Sequence, residues 1–214
     1  MSHVCTVKID NTKVSADLTD FPVYIDLSDL PSSFWNTVAD GGGDIRVYKS
    51  DGTTELAREV VSCATSTETG ELHVKFSGTL SSSVDTEIQI HADGTSSDYA
   101  VTATYGRDSV WTNYDAVWHL DDTTDSTGNG WTLTNKNSVS FVSGKIGNAS
   151  DSGTDNDTAT TAATKALYVN ANPPPLDGQL QTEFTVQYWV NPNDLDGTWN
   201  VTMNDGSAGN SRSL

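Results

Sequence analysis

Residues 114–135 collect the side chains best suited to chemistry in this chain, in the stretch YDAVWHLDDTTDSTGNGWTLTN. One histidine, four aspartates and two tryptophans surround a turn that contains glycine. An imidazole beside carboxylates can act as a general base, clustered carboxylates can bind a cation, and indole rings can stack on sugars. The stretch therefore has three interpretations, which are a catalytic cluster, a metal site, or the start of a second domain.

Paired carboxylates of the kind that cleave glycosidic bonds are not evident in the sequence. Retaining glycosidases hold two carboxyl groups about 5–5.5 Å apart, which acids at alternate positions of one strand would achieve. A Glu-x-Asp-x-Glu run of this kind is not formed by any of the six glutamates: Glu55, Glu59, Glu68, Glu71, Glu87 and Glu183. Glycoside hydrolysis is therefore the least favoured hypothesis.

The four histidines do not lie in sequence contexts typical of a hydrolytic triad. They are His3, His73, His91 and His119. The chain has no Gly-x-Ser-x-Gly elbow and no cysteine context typical of an activated nucleophile. His119 lies between Trp118 and Leu120 in a strand-like run, and we interpret it as a packed or surface histidine. The sequence thus predicts no catalytic residue and a chain that is not an enzyme.

Metal binding by aspartates in turns is the more favoured chemistry, because Ca²⁺ prefers carboxylate and carbonyl oxygens. We predict Asp121 and Asp122 as ligands and Ca²⁺ as the candidate cofactor; the alternative is that they are solvated turn residues. Further aspartates of this type are Asp125, Asp151, Asp155, Asp157, Asp194 and Asp196. The last two lie in NPNDLDG, which resembles half of an EF-hand loop but lacks the closing glutamate, so the EF-hand is excluded.

Sugar stacking is predicted for the two tryptophans that lie in turn-like contexts, Trp131 and Trp199. An indole ring in a turn can remain exposed and present its face to a ligand. Trp118 and Trp189 instead lie in strand-like segments, and we predict that they pack in a core.

The elements that must position these residues are predicted to be short strands with alternating apolar residues. Six lie in the first half: 3–10, 21–30, two within 44–65, 70–78 and 85–94, with a short helix at 31–39. A polar, irregular stretch at 95–115 marks a boundary. Five strand-like runs follow: 116–120, 131–135, 138–142, 165–170 and 184–192. The pattern predicts an all-β, antiparallel β-sandwich over 1–113, followed by a second domain over 114–214.

Charge limits the partners of the chain. The net charge of −18, from 29 acidic against 11 basic residues, disfavours nucleic acids, anionic membranes and sulfated glycans. Neutral glycans and divalent cations remain compatible with it. No signal peptide is visible and no run of about 18 apolar residues occurs, so membrane insertion is not predicted. Cys5 and Cys63 are either one disulfide or two buried thiols, and the alternation around Cys5 favours burial.

The first half resembles a known family over roughly residues 3–113. The segments VKIDNTKVSADLTDFPVYIDLSDL, DGGGDIRVYKSDGTTELAREV and ELHVKFSGTLSSSVDTEIQIH follow in order the motifs of the domain of unknown function 2341 family. That family opens many multi-domain bacterial and phage surface proteins. The chain departs from it at residues 91–94, where HADG stands in place of an aromatic–Gly–Asn segment.

The second half resembles the start of a laminin-G or concanavalin A-like jelly roll. The similar pieces are AVWHLDD, DSTGNG, GKIGNA and FTVQYWVNP. Such a fold needs ~150–200 residues, and the chain has about 100 after Tyr114, so we predict a partial jelly roll. The resemblance implies a Ca²⁺ site at the rim of the sandwich. An unfinished sandwich exposes sheet edges, which favours homo-oligomers.

Two functions remain to be compared. The first is a non-enzymatic binding or adhesion protein of an extracellular surface, with a neutral glycan or another cell-surface ligand as its partner. The second is a structural component of a phage virion, such as a decoration, fibre or tail-associated protein, with virion proteins as partners and an additional role in glycan binding. The first follows from the resemblance and from the acidic, aromatic-bearing composition. The second follows from the absence of a visible signal peptide, from a first strand that begins near Met1, and from the unfinished fold.

Overall fold

A computed structural model describes residues 3–151, 166–169 and 185–191. The strands are β1 (His3–Ile9), β2 (Leu18–Asp26), β3 (Arg46–Lys49), β4 (Glu55–Ala64), β5 (Thr69–Leu80), β6 (Thr86–Ala92), β7 (Leu133–Lys136), β8 (Ser140–Ser143), β9 (Asn148–Asp151) and β10 (Ala166–Val169). Two one-turn helices, α1 (Ser32–Trp35) and α2 (Arg107–Val110), and 3-10 turns at Asn11–Lys13 and Leu27–Asp29 are also described. The structure is therefore nearly all β.

Six strands form one large, curled antiparallel sheet in the order β1-β6-β3-β4-β5-β2. Each strand overlaps one of the six predicted in the first half of the chain, with β2 beginning and ending earlier than the predicted 21–30, and α1 lies within the predicted helix at 31–39. The sheet is consistent with an all-β sandwich, and the predicted fold class is confirmed. No helix among the described residues is long and apolar enough to cross a membrane.

The hydrophobic core lies against one face of the sheet. Leu72, Val74 and Phe76 alternate along β5 and are buried, and Phe34 and Trp35 of α1 are buried in the same cluster. Alternation of this kind sends every second side chain of a strand to the same face. The hydrophobic residues that α1 contributes explain why a four-residue helix is held at this position.

The two cysteines belong to this core. Cys5 and Cys63 are both buried, and neither forms a disulfide. Of the two alternatives that the sequence left open, buried thiols are the one that the structure confirms.

The opposite face of β4 and β5 is also buried, although it is polar. Glu71 and His73 alternate with the core residues of β5, and Glu59 of β4 lies directly opposite His73 in the sheet register. Residues 111–127, called here the covering segment, follow α2 and place buried side chains over this face. The β4–β5 hairpin and a segment distant from it in sequence thereby enclose a polar space.

In the second half, the described strands form two two-stranded sheets, β7 with β10 and β8 with β9. β7, β8 and β10 overlap three of the predicted runs, 131–135, 138–142 and 165–170. β9 lies in no predicted run. The strand predicted at 116–120 is wrong. The Val117 amide donates to the Asp125 side chain rather than to a neighbouring strand, and Leu120 has a φ of 63°, outside the range of a strand.

The last predicted run, 184–192, is not a strand over its described residues 185–191. Trp189 is 68% exposed there, so the prediction that it packs in a core is wrong. Without a strand, the segment has no sheet face on which to bury the indole ring. The partial jelly roll and the domain boundary at residues 113 and 114 remain predictions.

Candidate functional site: a buried polar cluster beside a cleft

The candidate site is built on the polar face of the β4–β5 hairpin. Glu71 and His73, two residues apart on β5, point to the same side, and Glu59 faces them from β4. All three are buried, with Glu71 only 4% exposed. Charged groups are rarely buried to this extent unless they are paired.

The covering segment supplies the partners. Trp111 is buried immediately after α2, and the chain then returns to place His119 and Ser126 over the hairpin. His119 directly precedes Leu120, whose left-handed φ turns the chain sharply. A bulky residue adopts this conformation only where its surroundings hold it there. The turn lets His119 point into the protein while the next residues point outward.

Glu59 accepts hydrogen bonds from three side chains of the covering segment. Its Oε2 lies 2.5 Å from Trp111 Nε1 and 3.0 Å from His119 Nε2, and its Oε1 lies 2.7 Å from Ser126 Oγ. One carboxylate therefore fixes the segment at three points.

Glu71 completes the cluster from the other side of the His119 ring. Its Oε1 lies 2.8 Å from His73 Nε2 and 3.4 Å from His119 Nδ1. The two imidazole rings are neighbours, with centroids 4.7 Å apart. Glu59, Glu71, His73 and His119 are called here the buried polar cluster.

The electrostatics of the cluster follow from competition between burial and pairing. Burial by itself would lower the pKa of His119, but hydrogen bonds to Glu59 and Glu71 and their negative charges outweigh it and raise that pKa to about 9. Burial would likewise raise the pKa of both glutamates, but it is outweighed by His119, by Trp111 and Ser126 at Glu59, and by His73 at Glu71. The pKa of Glu71 is about 2, and that of Glu59 is also lowered. At neutral pH the imidazolium of His119 therefore lies between two carboxylates.

The hairpin of β8 and β9 closes the cluster at Glu71. A Cβ atom at Gly147, in the turn of this hairpin, would overlap Glu71 Oε2, so the position requires glycine. Glu71 Oε2 accepts no hydrogen bond from any described residue, although it is fully buried. A buried carboxylate oxygen without a partner is unusual and costs free energy.

An open cleft of about 300 Å³ lies beside the cluster, and His119 and Glu59 form part of its wall. We call it the rim cleft. The remaining lining is mostly polar, and includes Asp98, Tyr99, Arg107, Asp121 and Asp122. The cleft thus presents carboxylates, a guanidinium and a phenol ring at the surface.

The two aspartates predicted to bind Ca²⁺ lie in this cleft and are exposed. Asp121 Oδ1 accepts a hydrogen bond from Asn148 Nδ2 at 2.6 Å, and Asp122 Oδ1 accepts one from the Thr124 amide at 2.6 Å. Burial and the nearby charge of Glu71 raise the pKa of Asp121. Within the described part of the chain, neither belongs to a group of three or more candidate ligands. Ca²⁺ binding by this pair stays a prediction.

Asp125, another of the aspartates in turns considered as cation ligands, has a structural role instead. It is 2% exposed, and its two oxygens accept hydrogen bonds from the amides of Val117, Thr127 and Trp131 and from the Thr127 hydroxyl. These bonds tie the covering segment into a compact loop. Asp151 lies at the end of β9, whereas Asp155, Asp157, Asp194 and Asp196 lie outside the described residues.

Trp131, one of the two predicted sugar-stacking residues, is half-buried. Its carbonyl oxygen accepts a hydrogen bond from Trp118 Nε1 at 2.8 Å, so the two tryptophans are linked, and Trp118 is only partly buried. Trp199 lies outside the described residues. Stacking on either ring stays a prediction.

The sequence reasoning missed the buried polar cluster, and one signal could have found half of it. ELHV places Glu71 and His73 two residues apart in a predicted strand, hence on one face. Glu59 lies on the preceding strand of the same hairpin, so its register could have been tested. The convergence of His119 on these residues has no local signal, because the loop that delivers it is irregular.

Comparison of the chain with protein-family models, with curated proteins and with solved structures found no match in any of the three. The two family resemblances drawn from the sequence motifs therefore stay predictions. The fold and the site define an all-β protein in which a Glu/His cluster is buried beside a polar cleft.

Proposed function

We propose that this chain is a non-catalytic binding protein of an extracellular surface and that it binds a neutral carbohydrate in the rim cleft. The observation that carries the proposal is the cleft itself, about 300 Å³ and lined by Asp98, Tyr99, Arg107, Asp121 and Asp122. Carboxylates and guanidinium groups form hydrogen bonds with sugar hydroxyls, and the net charge of −18 favours an uncharged ligand over an anionic one.

The charge states of the two buried glutamates beside the cleft, Glu59 and Glu71, disfavour them as the acid of a glycosidase. Glycosidases need one carboxyl group that remains protonated near neutral pH, so that it can donate a proton to the leaving group. The pKa values of Glu59 and Glu71 are instead lowered, because His119 compensates their burial. Both carboxylates also already accept hydrogen bonds from neighbouring side chains.

A glycan array probed with the purified chain tests the proposal. We expect binding of neutral glycans at sub-millimolar concentration, weakened about tenfold or more by Asp122→Ala. Asp29→Ala is the matched control, because Asp29 is an exposed acidic residue outside the cleft. Absence of any glycan ligand, or equal loss in both variants, contradicts the proposal. A repeat in EDTA shows whether binding depends on the predicted Ca²⁺ ion.

A structural role in a phage virion is the second candidate. The observation that favours it is the exposure of Trp189 and Val190, at 68% and 56%, because exposed neighbouring apolar side chains often mark contacts with other chains. The genes beside the coding sequence provide the test. Capsid or tail genes would support a virion component, and secretion or cell-wall genes would contradict it.

A further inference from the structure

We propose that Glu71, His73 and His119 bind a divalent transition-metal ion such as Zn²⁺, which fastens the covering segment to the β4–β5 hairpin. The site is separate from the predicted Ca²⁺ site at Asp121 and Asp122, and it does not depend on carbohydrate binding. Its ion would join β5 to a loop more than forty positions later in the sequence.

The donor atoms already converge. One ligand atom from each of the three residues lies within 4.8 Å of the other two. Glu71 Oε1 is 2.8 Å from His73 Nε2 and 3.4 Å from His119 Nδ1. Zn²⁺ bonds to nitrogen and oxygen are about 2.0–2.2 Å long, which places tetrahedral ligands roughly 3.3–3.6 Å from each other. Small side-chain adjustments therefore suffice to coordinate an ion.

Glu59 supplies the support that metal-binding histidines require. Such a histidine generally donates its second ring N–H to a carboxylate, which fixes the orientation of the ring. His119 Nε2 lies 3.0 Å from Glu59 Oε2, and this leaves Nδ1 directed at Glu71. Trp111 and Ser126 in turn hold Glu59 in place.

Glu71 provides a second, independent observation. The residue is 4% exposed, and its Oε2 accepts no hydrogen bond within the described part of the chain. A buried oxygen without a donor among the described residues can be satisfied by an ordered water or by a bound ion. An ion held by both oxygens of the carboxylate would provide that partner.

The ligand set selects the kind of ion. Two imidazoles with one carboxylate suit Zn²⁺, Co²⁺ or Ni²⁺, whereas Ca²⁺ and Mg²⁺ prefer ligand sets made of oxygen alone. We therefore expect Ca²⁺ not to compete with Zn²⁺ at this site.

Titration of the metal-stripped full chain with Co²⁺ and Zn²⁺ tests the proposal. We expect one ion per chain with micromolar or tighter affinity, a visible Co²⁺ absorption spectrum typical of low coordination number, and no displacement by excess Ca²⁺. X-ray absorption spectroscopy of the Zn²⁺-loaded wild-type protein should show scattering from two imidazoles. Failure to bind either ion, or a bound ion without imidazole ligands, overturns the proposal without recourse to any variant.

Variants then assign the ligands. We expect His73→Gln and Glu71→Gln to abolish tight Co²⁺ binding, and Glu59→Gln to weaken it about 10–100-fold through the orientation of His119. His91→Gln is the matched control, because His91 is a partly buried histidine of the same sheet whose Nε2 lies 3.1 Å from Gln89 Oε1. Circular dichroism verifies that each variant is folded. Unchanged Co²⁺ affinity in folded His73→Gln contradicts the assignment.

Discussion

The two faces of the β4–β5 hairpin are both buried but chemically opposite. On β5, Leu72 and Val74 are 0% and 1% exposed in the hydrophobic core, while Glu71 and His73 are 4% and 9% exposed on the other side. Alternate residues of one strand therefore lie in an apolar interior on one face and in a polar interior on the other. Burial of a strand face therefore depends on what covers it, and a polar face can be buried when its cover provides partners.

The two faces contribute differently to stability. Burial of a large apolar side chain stabilises the fold by about 1.5–3 kcal/mol. A buried ion pair gains attraction but loses hydration, so its net contribution is often close to zero, whereas removal of one partner is strongly destabilising. We infer that the core face stabilises the sheet and that the polar face determines where the covering segment lies.

Truncation on the core face should give the largest effect. Leu72→Ala removes a fully buried side chain and leaves a cavity, so we expect it to lower the free energy of unfolding by about 3–5 kcal/mol. Chemical denaturation monitored by circular dichroism measures the loss. Val84→Ala is the control, because Val84 is 66% exposed and should change stability by less than about 0.5 kcal/mol. Equal effects at the two positions would contradict the assignment of the core.

On the polar face, Glu59→Gln should give a smaller but specific effect. The substitution keeps the shape of the side chain but removes the charge that faces His119 and places an amide among donors from Trp111 and Ser126. We expect a loss of about 2–3 kcal/mol.

The fluorescence of the buried Trp111 should report this change as well. Because Glu59 holds the covering segment, the indole environment should be altered in folded Glu59→Gln and unchanged in Leu72→Ala at low denaturant. Glu68→Gln, at an exposed turn glutamate, is the matched control and should behave as wild type. A fluorescence spectrum identical to wild type in Glu59→Gln would show that Glu59 does not hold the segment.

The contrast between the faces also explains what could be predicted from the sequence. The six strands of the sheet were predictable, because alternating residues such as Val23 and Ile25 make a strand visible without tertiary information. The predicted strand at 21–30 also included Leu27, which lies in a 3-10 turn after β2 and is still buried. Amphipathic alternation is a local property, so it can be recognised without knowing which strands pair.

The polar face could not be predicted as a whole. Glu71 and His73 look like an exposed face, because alternation assigns polar residues to solvent unless something covers them. The cover depends on a loop organised by Asp125, whose hydrogen bonds to the backbone are irregular and have no period. The expected strand at 116–120 was wrong for the same reason, since apolar residues such as Val117 and Trp118 also occur in loops that fold back on a sheet.

In EDTA, the contribution of the polar face to the free energy of unfolding should change with pH by about 1–2 kcal/mol. The contribution of the core face should not change in this way. Although burial lowers the pKa of His119, the two glutamates raise it from 6.5 to about 9. The contribution of His119 to stability is therefore complete below pH 6.5 and is lost as the pH rises through 9. Glu71, with its pKa lowered from 4.5 to about 2, contributes fully above pH 4.5 and loses this as the pH falls through 2. The cluster therefore stabilises the folded protein most between about pH 4.5 and 6.5.

Urea denaturation at a series of pH values measures this profile. His119→Gln should remove the loss on the alkaline side, while Leu72→Ala should lower the whole curve and keep its shape. The His91→Gln variant is the control and should retain the wild-type profile between pH 7 and 9.5, because among the described residues the side-chain partner of His91 is the neutral Gln89. A wild-type alkaline limb in folded His119→Gln would refute the role of the cluster.

The smallest effect on stability is expected from the two thiols of the core face, Cys5 and Cys63. Burial, aided by the negative charges of Asp44 and Asp40, raises the pKa of Cys63 to about 11, and burial raises that of Cys5. The thiolate is the reactive form, so a rise from 9.0 to about 11 lowers its population roughly 100-fold at pH 8. We expect both thiols to resist iodoacetamide in the native protein and to react fully in denaturant. Their ionisation should cause no measurable change in the free energy of unfolding. Rapid alkylation of the native protein at pH 8 would contradict this expectation. It would mean that the core face opens to solvent on the timescale of the reaction.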